Sequence, residues 1–200
     1  MANGELLDLL VLHSYRFSDT ELFTLASGRK SPFYVNCKTT TMRRDAARLI
    51  ADAFDPRIPQ AAEAIGGLTM GADPIAYAIR DLSARRLDAF VVRKEAKAHG
   101  LRRVVEGPVR KGLKVVVVDD VVTTGQSTIQ ALDACSAEGL EVVSVIVLVD
   151  REEDGGLDRI RAHAKCPVSA IFKVSELHAR WQELDRGADE APSRSAAASL

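Results

Sequence analysis

The sequence predicts an α/β fold in which helices flank a parallel β-sheet. Predicted strands alternate with predicted helices of about 10–15 residues, which is the pattern of βαβ units. Residues 115–118 and 142–149 are almost unbroken runs of β-branched residues, as in strands that helices bury on both faces. The 200 residues are 46% hydrophobic and 28% charged, which fits one soluble domain. Ligands of such sheets bind at the carboxyl ends of strands.

The predicted elements fall into an irregular start and a regular remainder. Apolar spacing predicts a helix over 5–15, followed by extended chain over 21–34 with a turn at Ser27 and Gly28. Further along, periodicity predicts helices over 43–54, 73–83, 127–137 and 157–165, and β-branched runs predict strands over 62–65, 88–92, 114–118, 141–149 and 168–172. Trp181 is expected to anchor the packing of a last helix. Residues 186–200 are rich in Ala and Ser, which predicts a disordered tail.

Charge and cysteine content exclude several classes of protein. The net charge of −1 gives no global attraction to nucleic acid or anionic membranes, and we expect neither as a partner. Cys37, Cys135 and Cys166 form no CxxC pair, so reduced thiols are expected rather than disulfides or a zinc site. The N-terminus lacks a basic region, and Asp8 interrupts its apolar run. These observations predict a cytoplasmic protein.

Residues 115–128, VVVVDDVVTTGQST, contain the strongest motif. Asp119 and Asp120 follow four valines, where their carboxylates can accept hydrogen bonds from vicinal sugar hydroxyls or hold magnesium together with those hydroxyls. The small residues that follow begin a helix, whose free N–H groups and dipole favour a phosphate monoester. The predicted phosphate site comprises Val121, Val122, Thr123, Thr124, Gly125, Gln126 and Ser127. A capped helix start is the alternative, but it does not explain two adjacent acids.

Two further segments favour polyanion binding. From residue 85 to residue 114 there are ten Lys or Arg against three Asp or Glu, a local charge of +7. Between Val92 and Lys114 the basic residues are interspersed with three glycines, which predicts a mobile cationic lid, although a solvated basic loop is the alternative. Residues 65–72, IGGLTMGA, are glycine-rich and predict backbone amides that approach a second anionic group, with a tight strand-to-helix turn as the alternative.

These motifs resemble those of a known family. Residues 115–128 are similar to the phosphoribosyl diphosphate motif of type I phosphoribosyltransferases. Three more segments narrow the resemblance to orotate phosphoribosyltransferases: SGRKSPFY at 27–34, RKEAKAHG at 93–100 and DREE at 150–153. The spacing R-K-x-x-K-x-H-G is the most diagnostic of them. The resemblance extends from about residue 17 to about residue 177.

The resemblance implies a reaction and an assembly. N1 of orotate attacks C1 of phosphoribosyl diphosphate, pyrophosphate leaves, and orotidine 5′-monophosphate forms in pyrimidine biosynthesis, with Mg²⁺ as cofactor. The displacement develops charge on the ribose and on pyrophosphate, so it requires placed cations rather than a nucleophile. The family fold implies one domain over 1–185, with a small N-terminal hood mainly from residues 1–40 that covers the base. It also implies a homodimer whose lid reaches the partner's site.

The resemblance also implies roles for individual residues. Lys97 is the main catalytic residue and acts with Asp119 and Asp120, near which substrate-borne magnesium lies. Arg93, Lys94, Lys97, His99, Thr69 and Met70 are expected to bind the diphosphate. Tyr34, Thr123 and Arg151 are expected to bind orotate. For Tyr34 a core aromatic is the alternative, and for Arg151 a surface salt bridge.

The sequence departs from the family pattern at two positions. Many relatives have lysine where Ala26 and Met70 stand. We expect magnesium and the lid to supply more of the positive charge here, or Arg29 or Lys30 to substitute. Two other functions stay open: transfer to a purine or uracil, and a non-enzymatic regulator that senses phosphoribosyl diphosphate and binds nucleic acid. Arg151 and the lid favour orotate, and the N-terminal segment is too short for an added winged domain.

Overall fold

In a computed structural model, the chain folds around a six-stranded sheet with helices on both faces. The structure describes residues 2–20, 22–24, 30–95 and 104–189. Its helices are α1 Ala2–His13, α2 Lys38–Thr41, α3 Arg44–Phe54, α4 Ala72–Leu82, α5 Gln126–Ala137, α6 Gly156–His163 and α7 Val174–Asp189. Its strands are β1 Tyr15–Phe17, β2 Phe23–Thr24, β3 Lys30–Ser31, β4 Phe33–Val35, β5 Ala64–Leu68, β6 Asp88–Val92, β7 Val105–Glu106, β8 Lys114–Val122, β9 Glu141–Asp150 and β10 Val168–Lys173.

The main sheet has the strand order β10-β9-β8-β5-β6-β7. Its strands pair in parallel except β7, a short edge strand that runs antiparallel to β6. The predicted α/β class with a parallel sheet is therefore confirmed. Strand β8 lies between β5 and β9, so its carboxyl end opens near the middle of the sheet, where ligands of such folds bind.

The alternation of side chains along β8 divides the core into two clusters. Val115 and Val117 pack in the cluster that includes residues of α5 and α6. Val116 and Val118 pack in the other, with residues of α1, α3, α4 and α7. Successive side chains of a strand point to opposite faces, so a run of valines without polar interruption fits a strand covered on both sides.

Several predicted boundaries were wrong. The central strand runs four residues beyond the predicted end at 118, because its ladder with β9 continues to the pair Val122↔Asp150. The predicted helix over 5–15 instead spans Ala2–His13, and Tyr15 pairs with Val35 in a strand. Helix α7 reaches Asp189, so the first four residues of the predicted tail are helical. Residues 190–200 lie outside the described residues.

The N-terminal segment forms two small antiparallel pairs, β1 with β4 and β2 with β3, that are separate from the main sheet. Tyr15, in the first of these strands, packs in the hydrophobic core together with residues of α7. Tyr15 donates or accepts a 2.8 Å hydrogen bond with Nδ1 of His178, whose ring stacks on Trp181. The packing role predicted for Trp181 is thus confirmed, and His178 also packs. Ala26, Ser27, Gly28 and Arg29 lie outside the described residues.

Cys37, Cys135 and Cys166 are free thiols, and the first two are buried. Within the described ranges, none of the helices has the length and apolar character that crossing a membrane requires.

Candidate active site

A cleft of about 570 Å³ opens at the carboxyl end of β8. Its walls come from β8, the turn into α5, the end of β9 and the hood. The lining residues are Tyr34, Val35, Asp119, Val121, Val122, Thr123, Thr124, Gly125, Gln126, Ser127, Thr128 and Arg151. The structure therefore brings together the predicted phosphate loop, one of the predicted acids and the three residues predicted for orotate.

Asp119 is buried, and its carboxylate is held on two sides. Its Oδ2 accepts a 2.7 Å hydrogen bond from Oγ1 of Thr128, and its Oδ1 accepts one of 3.0 Å from the backbone N–H of Asp120. Burial, followed by the negative charge of Asp120, raises the pKa of Asp119 to about 7. A bound cation or sugar hydroxyls would favour its charged form.

Asp120 points to the other side of the sheet. Its Oδ1 accepts a 3.0 Å hydrogen bond from the N–H of Val121, and Nζ of Lys38 donates to its Oδ2 at 3.4 Å. A Cβ atom on Gly71 would overlap the Asp120 carboxylate, so this glycine is needed for the close approach. Asp120 thus contacts the segment that joins β5 to α4, whereas Asp119 faces α5.

The phosphate loop joins the end of β8 to the N-terminus of α5. Gly125 has φ +79° directly before the first helical residue, a conformation that glycine adopts without strain. The N–H of Gln126 donates to Oγ1 of Thr124 at 3.4 Å. The first N–H groups of an α-helix have no intrahelical partner, and residues of this first turn line the cleft. The loop can therefore bind an anionic group.

The N-terminus of α6 supports this loop from behind. A Cβ atom on Gly156 would overlap the carbonyl of Thr123, and one on Gly125 would lie 2.7 Å from the carbonyl oxygen of Gly156. Backbone therefore packs directly on backbone. Sequence reasoning missed Gly156, although a glycine pair at the start of a helix is a recognisable sign of close packing.

Arg151 is buried and ties the hood to the end of β9. Its Nη2 lies 3.1 Å from Oε2 of Glu153 and donates to the carbonyl of Phe33 at 3.3 Å. The hydroxyl of Ser31 donates to Oε1 of the same glutamate at 3.1 Å. Arg151 is only 5% exposed, so the alternative of a surface salt bridge is wrong. Glu153 and Ser31 were not predicted as supports.

Tyr34 stands at the mouth of the cleft with 41% of its surface exposed. The alternative interpretation as a core aromatic is therefore wrong. Its ring lies 6.0 Å from that of Phe23. An exposed aromatic face beside a buried arginine can receive a flat anionic ring.

A second cavity of about 720 Å³ lies beside the loop after β5. It is lined by Thr69, Met70, Val91, Arg93, Lys94, Glu95 and Glu106. Oγ1 of Thr69 donates to Oδ2 of Asp73 at 2.7 Å, which fixes this loop to α4. Arg93 and Lys94 begin the segment predicted to form a cationic lid. Lys97 and His99 lie in the stretch 96–103, outside the described residues.

Two glycines of the segment IGGLTMGA have a different role from the predicted one. Gly66 and Gly67 lie inside β5, where a Cβ atom would overlap the carbonyls of Phe90 and Val118 on the neighbouring strands. They are required for close strand packing and do not form an anion loop. Only the residues after Leu68 form the turn.

The acid pair, Asp119 and Asp120, supplies carboxylate oxygens, which Mg²⁺ accepts as ligands. Among the residues that the structure describes, no group of three or more His, Cys, Asp or Glu could hold one. Mg²⁺ usually keeps several waters and binds through one or two carboxylates plus substrate phosphates. A single carboxylate at the cleft, that of Asp119, therefore fits a magnesium ion that arrives with a phosphorylated substrate.

The chain is similar in sequence to a known family and to individual curated proteins. The family described as "Phosphoribosyl transferase domain" matches residues 39–177. The orotate phosphoribosyltransferase of Aquifex aeolicus is 43% identical over 173 residues, which cover 84% of this chain and 93% of that protein. That of Nostoc sp. is 41% identical over 184 residues, covering 90% and 87%.

Solved structures show the same likeness. The Mycobacterium tuberculosis orotate phosphoribosyltransferase in complex with 5-phospho-alpha-D-ribosyl 1-diphosphate has a TM-score of 0.74 and 33% identity, covering 89% of this chain and 99% of that chain. The Leishmania donovani UMP synthase has a TM-score of 0.78 and 31% identity, covering 92% of this chain and 39% of that one. The family resemblance drawn from the motifs is thereby confirmed.

Proposed function

This chain belongs to the orotate phosphoribosyltransferase family, and on that premise we propose how its cleft transfers the 5-phosphoribosyl group to orotate. The donor is 5-phospho-α-D-ribose 1-diphosphate, and the products are orotidine 5′-monophosphate and pyrophosphate, a step of pyrimidine biosynthesis. The observation that carries the proposal is one cleft in which a phosphate loop, a buried acid and a buried arginine converge. Each binds a different part of the two substrates.

The 5-phosphate of the donor binds at the turn formed by residues 123–127. The N-terminal N–H groups of α5 and the hydroxyls of Thr123, Thr124 and Ser127 supply donors there. Because Gly156 holds the loop by backbone contact, these donors are in place before the substrate arrives. Preorganised donors avoid the reorganisation that a flexible loop would require.

Asp119 and Asp120 bind the ribose end of the donor. Asp119 accepts hydrogen bonds from ribose hydroxyls at the cleft. Asp120 adds a second negative charge on the side that faces Gly71. Asp119, the acid that lines the cleft, would hold Mg²⁺ together with the substrate oxygens. When bound, Mg²⁺ neutralises charge on the diphosphate and helps it to leave.

Orotate binds between Tyr34 and Arg151. Among the described residues that line this cleft, Arg151 is the only one with a positive charge. Orotate carries a carboxylate, whereas uracil and the purine bases are neutral, so a buried guanidinium favours orotate over them. Thr123 adds a hydrogen bond to the same ring. This contrast in charge is the basis for preferring orotate to the other bases.

The lid supplies the cations for the leaving group. A bond forms between N1 of orotate and C1 of the ribose and N1 gives up its proton, while the bond from C1 to the diphosphate oxygen breaks and its electron pair leaves with pyrophosphate, which can take up that proton. Lys97 stabilises the departing charge as the main catalytic residue, with Arg93, Lys94 and His99 as further contacts. Arg93 and Lys94 line the cavity next to Thr69 and Met70, which supports a diphosphate site there. A closed lid also excludes water.

The active form is a homodimer built on the face formed by α4 and the turn before α3. Met42, Met70 and Tyr77 are exposed by 56%, 59% and 42% and line one groove of about 580 Å³. Arg43, Arg44, Asp73 and Asp81 line the same groove, so a second copy could pair opposite charges across a twofold axis. Light scattering should report a dimer for the wild type and a monomer for Tyr77→Glu; a dimeric variant would place the interface elsewhere.

The three free thiols support a cytoplasmic location, because reducing compartments keep cysteines in this state.

A panel of bases tests the choice of substrate. With phosphoribosyl diphosphate and Mg²⁺, the enzyme should release pyrophosphate in the presence of orotate, and not in the presence of uracil, adenine or hypoxanthine. Release of pyrophosphate with a purine or uracil instead would favour a phosphoribosyltransferase that acts on that base.

A further inference from the structure

Lys38 lies at the edge of the acid pair, outside every motif that the sequence singled out. It is the first residue of α2, three residues after the last hood strand ends. Its Nζ lies 3.4 Å from Oδ2 of Asp120. The lysine side chain is 40% exposed, and the carboxyl partner is 7% exposed. A partly exposed cation thus covers a buried acid at the site.

The same carboxylate contacts the loop after β5. Asp120 packs so closely on Gly71 that a Cβ atom there would overlap it. Lys38 and Gly71 therefore both approach the carboxylate of Asp120. Thr69 and Met70 of this turn line the second cavity, which Arg93 and Lys94 also line. Lys38 thus reaches the carboxylate that packs on Gly71, and Gly71 directly follows the two residues, Thr69 and Met70, that line the cavity assigned to the diphosphate.

Charge explains why a cation is needed at this point. Two adjacent buried carboxylates repel a polyanionic donor, and positions 26 and 70 hold Ala and Met, where many relatives have lysine. Of the two substitutes that the sequence offered, Arg29 lies outside the described residues and Lys30 is exposed on β3. An ammonium has three N–H donors, and the bond to Asp120 uses one of them.

We propose that Lys38 is a binding residue for the diphosphate group of the donor and that it replaces the lysines missing at positions 26 and 70. This inference rests on the proposed function, because it assumes that the donor binds in this orientation. Lys38 also neutralises Asp120, so that the acid pair accepts an anionic substrate. A contact with the leaving group predicts a defect specific to the donor.

Titration calorimetry with phosphoribosyl diphosphate and Mg²⁺, together with steady-state kinetics, tests this role. Lys38→Met should raise the Kd and the KM for the donor roughly 10- to 100-fold, the effect expected for losing a hydrogen bond to a charged group. The KM for orotate should change less than twofold. Lys38→Arg, which keeps the charge, should restore most of the affinity.

The control is Lys173→Met, which removes a similar lysine–carboxylate pair, 3.5 Å from Glu152, at the end of β10. It should bind the donor like the wild type. If Lys38→Met also bound the donor like the wild type, the proposal would be overturned. If Lys38→Met is too unstable to measure, Lys38→Gln takes its place in the same binding experiment. Failure of the wild type to consume orotate would refute the proposed function, while donor affinities would still decide the role of Lys38.

Discussion

Thr128 on α5 donates a 2.7 Å hydrogen bond to the carboxylate of Asp119 on β8, and both residues are buried. This bond fastens the helix whose N-terminus forms the phosphate loop to the acid assigned to the ribose. The two halves of the donor site therefore keep a fixed spacing. Ribose hydroxyls and the 5-phosphate belong to one rigid substrate, so this spacing matters for binding.

Thr128→Val tests that connection, because valine keeps the shape and removes the hydroxyl. A buried carboxylate that loses a partner destabilises the fold, so the free energy of unfolding should fall by about 1–3 kcal/mol. Urea denaturation measures the change. Thr128→Ser keeps the hydroxyl and is the control. Equal stability of the Val variant and the wild type would show that the bond contributes nothing.

Gly156→Ala tests the backbone contact behind the phosphate loop. The added Cβ atom would overlap the carbonyl of Thr123 and displace the loop. A displaced loop should raise the KM for the donor roughly 10- to 100-fold, since errors of position near 1 Å have effects of this size. Gly4→Ala, where a Cβ atom meets nothing within 4 Å, should leave kinetics unchanged. An unaltered KM for the Gly156 variant would contradict the supporting role.

Arg151→Lys tests recognition of orotate. Lysine keeps the charge but loses the planar fork that reaches Glu153 and the carbonyl of Phe33. The KM for orotate should rise about 10-fold or more, and the KM for the donor should change little. A rise only in the KM for the donor would contradict the assignment of Arg151 to orotate.

The raised pKa of Asp119 predicts a dependence of stability on pH. Between its ordinary value of 3.8 and its folded value of about 7, the folded protein keeps a proton that the unfolded chain releases. The free energy of unfolding of the free enzyme should therefore fall as pH rises through this window and level off above it. Asp119→Asn should show a smaller fall in urea titrations at successive pH values. Parallel curves for the two proteins would contradict the assignment.

Lys97→Ala tests the catalytic cation of the lid. Loss of a charge that acts in the transition state should raise the activation free energy by about 2.7–4 kcal/mol, which lowers kcat roughly 100- to 1,000-fold. Lys165→Ala, an exposed lysine after α6, is the control. Turnover near that of the wild type in the Lys97 variant would remove this residue from the mechanism.

The fold and most of the cleft followed from local patterns. The valines of β8 predicted its burial on both faces, and the acids and hydroxyls after them predicted the loop that lines the cleft. Such patterns work because strand periodicity and helix N-terminal chemistry depend on neighbouring residues. The end of β8 was missed, since only pairing with β9 shows that the acids continue the ladder.

The residues that support the site depend on contacts between distant segments. Lys38 meets Asp120 from 82 residues away, and Ser31 meets Glu153 from 122 residues away. Nothing local distinguishes these side chains from other polar residues. The role of the two glycines in β5 was predicted wrongly for the same reason. A side chain at either position would overlap a carbonyl of a neighbouring strand, which only the folded sheet shows.

One measurement tests the central claim most directly: the forward reaction of the purified enzyme with orotate, phosphoribosyl diphosphate and Mg²⁺, followed by the loss of orotate and the release of pyrophosphate. We expect the two to proceed in equal amounts and to stop when the donor is omitted. Orotate that stays unconsumed while the donor binds would contradict the assigned transfer and favour a protein that only senses phosphoribosyl diphosphate.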